Sequence, residues 1–126
     1  MVRQPKVSQY GSVDPAPPQI NGHVTEWKES LVDKDIPMFQ RMRNVFALRN
    51  VRTDEACLAL CNGFLSDSAL LRHEAAEALG AIGDYSVIPV LQEYLGHELP
   101  EISESCEVAI DLLDWTKSKE YDVIDC

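Results

Sequence analysis

His73 and Glu74 stand side by side in this 126-residue chain, and their side chains are the ones best suited to chemistry. An imidazole and a carboxylate can ligate a divalent metal, and with coordination positions left open such a set suits non-haem iron. On a helix advancing ~100° per residue, Leu71, Ala75, Ala78, Leu79 and Ile82 form one apolar stripe. His73 falls nearly opposite the centre of that stripe and Glu74 on its flank, which places the pair on an outer ridge rather than in a core. Ala76 and Gly80 share the His73 side, leaving low relief around the imidazole. A glycine inside a helix costs ~1 kcal/mol relative to alanine. Gly80 therefore points either to something approaching closely from outside or to tight packing between neighbouring helices. One His-Glu pair offers at most two protein ligands, too few to hold a six-coordinate iron well, so further donors must come from elsewhere.

The other candidates carry less. A second His-Glu dipeptide, His97-Glu98, follows Gly96 in a loop-like stretch and reads as coincidence. Cys57 and Cys61 lie four apart on one helix face with no further soft ligand at motif spacing, so core packing accounts for them better than a metal. Trp27 and Trp115 are too far apart in sequence to suggest a stacking platform. The chain has no glycine-rich phosphate loop, nucleophile elbow or basic stripe. No residue is singled out as a catalytic acid, base or nucleophile, and no substrate-binding residue is assigned.

The elements that must position the pair follow from an internal repeat. Arg41–Val51, Arg72–Ile82 and Ser103–Leu113 align at offsets of 31 residues. The alignment puts Ala47, Ala78 and Ala109 in one column, Leu48, Leu79 and Ile110 in the next, and Val51, Ile82 and Leu113 in a third. Second helices are predicted between them over Thr53–Leu65 and Ser86–Leu95. Thr53 and Ser66-Asp67-Ser68 supply helix-starting caps, Gly83 suits a left-handed helix end, and Pro89 and Pro100 fit first turns. A period of this size means stacked helical hairpins, none of which buries its apolar face alone. The expected fold is all-α: a short HEAT-like α-solenoid of about two and a half helical hairpins, without a sheet. Stacking sets column-equivalent residues side by side, but the neighbours of His73-Glu74 in this register are Met42-Arg43 and Glu104-Ser105. The pair is not repeated.

Boundaries follow from composition. Residues 1–35 read as an extended, linker-like segment, with three prolines in Gly11–Pro18 and one or two helical turns possible over Glu26–Val32. Residues 36–119 form the repeat domain and 120–126 a tail. The net charge of −10 is uneven, +3 over residues 1–52 and −13 over residues 53–126. So acidic a surface disfavours nucleic acid and would attract a cationic partner. No apolar run approaches the ~20 residues of a membrane helix, and the first residues lack the apolar core of a secretory signal. A cytoplasmic protein with reduced thiols is the expectation.

Ser68–Gly80 (SALLRHEAAEALG), Ser103–Asp111 (SESCEVAID), Phe46–Asn50 (FALRN) and, in the linker, Ser12–Pro18 (SVDPAPP) together resemble deoxyhypusine hydroxylase, a HEAT-repeat monooxygenase. The resemblance covers about residues 11–120. It implies an oxidoreductase that uses iron (Fe2+), held by His-Glu motifs from two solenoid halves, to hydroxylate the deoxyhypusine side chain of a translation initiation factor in hypusine biosynthesis. This chain matches the linker and the second half. One repeat of that half is missing: Ser68–Glu74 looks like the start of one His-Glu repeat and Ala75–Gly83 like the continuation of the next. By resemblance His73 is a metal ligand, and Glu74 is a ligand or a group that holds the cationic substrate. Self-association as a homodimer would bring two His73-Glu74 pairs together. The alternative is a non-catalytic HEAT-repeat protein-binding scaffold derived from that family.

Overall fold

The computed structural model describes residues 17–125, with side chains described through residue 118. Residues 11–16 of the proline-rich linker and Cys126 lie outside the described residues. Six α-helices follow one another: α1 (Val24–Ser30), α2 (Met38–Val51), α3 (Asp54–Asn62), α4 (Ala69–Ile82), α5 (Ile88–Tyr94) and α6 (Pro100–Asp125). Single 3-10 turns extend α3 (Gly63–Leu65) and precede α5 (Tyr85–Val87). No strand occurs among the described residues.

The 31-residue repeat is visible in the helix starts, since α2, α4 and α6 begin at residues 38, 69 and 100. α2 with α3 and α4 with α5 make two hairpins, and α6 makes the remaining half. The alignment columns are mostly core positions: Ala47, Ala78, Ala109, Leu48, Leu79 and Leu113 are buried, as are Leu60 and Leu91 of the second helices, whereas Ile82 and Ile110 are half-buried and Val51 is exposed. Local chemistry sets the ends. Thr53 and Ser68 accept hydrogen bonds from the Ala56 and Leu71 backbone N–H groups at the starts of α3 and α4. α2 and α4 both close on a left-handed residue, Arg52 (φ 60°) and Gly83 (φ 72°), again 31 positions apart. Arg52 is held in that unfavourable region while its Nη2 donates to the Ile82 carbonyl of the next hairpin at 3.0 Å.

The N-terminal end of the stack is covered. Residues 24–30, in the segment that the sequence reads as linker-like with one or two helical turns possible over Glu26–Val32, form α1 and pack on α2 and α3. The reason is apolar: Leu31 is fully buried against the end of the stack, and Trp27 packs on its edge. Asn44 of α2 donates to Ser30 Oγ at 2.7 Å and ties the two together. At the other end α6 continues past residue 119 to Asp125 as helix, where the sequence suggests a tail. Its outer side leaves Val108 and Trp115 exposed.

Cys57, Cys61 and Cys106 are buried and unpaired. Burial pushes their thiols up to about 11, about 12 and about 12 respectively, so they stay protonated core residues.

Candidate metal centre

α4 is a firmly anchored platform. Leu71, Ala75, Ala78 and Leu79 fix its inner face in the core. The Arg72 side chain, itself buried, donates from Nη1 to the Ser66 carbonyl at 2.8 Å and locks the turn that enters the helix. Its column partner Arg41 does the same for α2, donating from Nε to the Ile36 carbonyl at 2.8 Å. The helix end is held by Gly83, whose N–H donates to the Leu79 carbonyl.

On the opposite face His73 projects into solvent, as the stripe predicts, and Glu74 sits half-buried on the flank. The structure adds a third group. Glu77 Oε1 lies 3.2 Å from His73 Nε2, and both side chains are about half exposed, at 52% and 56%. His73, Glu74 and Glu77 each place one potential donor atom within 4.8 Å of the others. Reading the sequence by adjacent residues overlooked Glu77. The signal was the i, i+4 spacing from His73, which puts two side chains one above the other on a helix.

Three grooves border this ridge, one of about 300 Å³ lined by Glu77, Gly80, Leu112 and Trp115. Between α4 and α6, a groove of about 220 Å³ is lined by His73, Ala69, Ala76 and Val108, with Glu101 and Glu104 at its acidic side. Between α2 and α4, a smaller one of about 180 Å³ is lined by Glu74, Glu77, Ala78 and Ala81 together with Phe46 and Arg49. The Arg49 guanidinium stacks over the Phe46 ring, 4.9 Å from its centroid.

Ala76 lines the groove beside His73, so the relief next to the imidazole is low, as the sequence suggests, and of the two explanations left open for Gly80 the packing one holds. A Cβ on Gly80 would stand 2.8 Å from Leu112 Cβ of α6, so this glycine serves the close approach of two helices. His97 Nδ1 accepts a hydrogen bond from the Leu99 N–H within the α5–α6 loop.

Comparison with known proteins follows the same lines. A family model described as PBS lyase HEAT-like repeat matches residues 71–97. Deoxyhypusine hydroxylase of Danio rerio is 34% identical over 149 residues, covering 92% of this chain and 49% of that protein. The Candida albicans enzyme of the same name is 37% identical, covering 91% and 48%. That of Saccharomyces cerevisiae is 37% identical, covering 91% and 46%. A structure of human deoxyhypusine hydroxylase in complex with glycerol is 33% identical, with a TM-score of 0.48, covering 86% of this chain and 52% of that one.

The chain thus has homologues named deoxyhypusine hydroxylase along nearly all of its sequence, and it spans about half the length of these curated relatives. Among the described residues, no helix is long and apolar enough to cross a membrane.

Proposed function

We propose, with kinship to the deoxyhypusine hydroxylases as premise, that this chain is a reduced hydroxylase of that kind. In this reading it holds ferrous iron at His73 and Glu74 and acts in the cytosol on the deoxyhypusine side chain of a translation initiation factor. A second chain, in the simplest case another copy of this one, completes the metal site. The observation that carries the reading is the His73-Glu74 pair, presented to solvent on a rigid helix of a chain whose relatives bear that name.

The donor set fits one iron ion, since imidazole and carboxylate are ligands that ferrous iron accepts. It does not by itself make a two-metal site, because the columns on either side of the pair carry Met42-Arg43 and Glu104-Ser105. Bound iron would supply oxygen chemistry that amino-acid side chains lack. The protein's own part is to attract and orient. The −13 balance of residues 53–126 draws a cationic side chain towards the ridge. In the α4–α6 groove, Ala69 and Val108 offer apolar surface for methylene groups, while Glu101 and Glu104 outweigh Arg72, the cation in the same lining, in attracting an ammonium. α4 keeps His73 beside that groove.

One observation favours a second reading. Glu77 already engages the ring nitrogen of His73, and the chain carries a single such pair among its repeats. That arrangement fits a HEAT-repeat scaffold that grips the lysine-bearing partner without turning it over.

The two readings separate in one assay. The chain is incubated with ferrous iron, oxygen, a reductant and a deoxyhypusine-bearing factor, and the factor is weighed. One oxygen atom enters a C–H bond and the other leaves as water, with the reductant supplying two electrons. The hydroxylase reading predicts a gain of one oxygen atom that increases as protein concentration drives pairing and disappears in His73→Ala. Binding of the factor with no gain of mass at any concentration would leave the scaffold.

A further inference from the structure

We infer that Glu77 is a third metal ligand, so that one chain holds a single divalent cation by three donors from one helix: His73, Glu74 and Glu77. The inference rests on the metal-binding reading of His73-Glu74 and replaces one of the donors that a second chain would otherwise provide.

The helix geometry makes the case. With His73 taken as the origin and ~100° added per residue, Glu74 stands at about 100° and Glu77, one turn on, at about 40°. Glu77 is therefore angularly between the other two and can close over the space they share. The three donor atoms already lie within 4.8 Å of one another, and the His73–Glu77 pair is at 3.2 Å. Ligands bound at about 2.1 Å and at right angles around one ion are separated by about 3 Å. One pair is thus at a ligand–ligand separation before any ion arrives. The remaining closure falls on glutamates, whose chains are long enough to swing through it by rotamer changes. Nothing in the backbone has to move, because the Ser68 and Gly83 caps and the Arg72 bond hold α4 at both ends.

The chemistry of the set is also appropriate. One imidazole and two carboxylates on one side of an ion leave the opposite positions open, the arrangement that suits a cation meant to bind further ligands. The His73–Glu77 contact acquires a meaning in this light. Glu77 hydrogen-bonds the Nε2–H of the imidazole while the cation is absent. When an ion takes Nε2 the proton resides on Nδ1, and the carboxylate turns from the imidazole to the ion.

Titration of the full chain with Co2+, followed by calorimetry and visible absorption, tests this. Sedimentation of the same samples gives the mass of the species that binds. The expected result is one Co2+ per monomer, with Glu77→Gln weakening binding by about tenfold or more, since even groups one shell out cost 10–100-fold. Both glutamates involved are on a helix surface, so the thermal melt of Glu77→Gln should match that of the wild type. Glu107→Gln, which removes an exposed carboxylate elsewhere on α6, should bind as the wild type does, and a comparable loss there would reduce the effect to general acidity and overturn the proposal. Wild-type affinity in Glu77→Gln together with loss in His73→Ala would overturn it while leaving the His73-Glu74 reading in place. Unchanged binding in His73→Ala would remove both.

Discussion

Phe64→Ala should lower the unfolding free energy by about 3–5 kcal/mol, the range for truncating a large buried aromatic. Phe64 is fully buried. It sits in the 3-10 turn that ends the first hairpin and packs on both α4 and α6, so it joins all three repeat units. Its ring meets Tyr94 of α5 edge-on, with centroids 6.1 Å apart and planes at 82°. A domain of this size has about 5–15 kcal/mol in total, so the substitution removes a large share of it. Urea denaturation gives the number, and Leu58→Ala, which truncates a half-exposed side chain on α3, should stay within about 0.5 kcal/mol. A loss below about 1 kcal/mol at Phe64 would mean that the three repeats do not share one core.

Gly80→Ala is the second large effect, and its sign is the informative part. In an isolated helix this substitution gains ~1 kcal/mol. Here the new methyl would lie 2.8 Å from Leu112 Cβ, an atom fixed to the backbone of α6, so the helices must part. Overpacking of this kind costs about 1–3 kcal/mol and offsets or outweighs the gain, for an expected net loss of up to roughly 2 kcal/mol. The consequence reaches the site, because the α4–α6 groove beside His73 is shaped by the same approach of helices. If Gly80→Ala stabilised the protein, the residue would not be a packing glycine, and close approach from outside would return as its explanation.

Most of the solenoid was legible because its signal is redundant. Three copies of one pattern agree at the alanine column, Ala47, Ala78 and Ala109, and Thr53, Ser68 and Gly83 mark helix ends with the cap chemistry the helices use. α1 was harder to read. Its residues repeat nothing, and what orders them is Leu31 inserting into the exposed end of the stack, a contact between segments that periodicity does not encode. The candidate site divides in the same way. The outward direction of His73 follows from the inward direction of Leu71, Ala75 and Leu79. Whether Gly80 faced a ligand or a neighbouring helix could not be settled on one helix, because the answer is Leu112, 32 residues away. Glu77 is not part of the His-Glu dipeptide, and its tie to His73 lies in the i, i+4 spacing of one helical turn.

The relation between this chain and its relatives also has a physical side. Removing one whole repeat from a stack leaves the remaining interfaces nearly equivalent, because each repeat touches only its neighbours. A deletion near 31 residues is therefore compatible with a continuous core from Leu31 to Leu113, and that is what the buried residues show.

Iron bound per chain, measured on protein purified aerobically with ferrous iron and compared with His73→Ala, tests the central claim most directly. The account predicts close to stoichiometric iron in the wild type and almost none in the variant, with both proteins melting alike because His73 lies on the surface. Equal iron in the two proteins, or none in either, would contradict it.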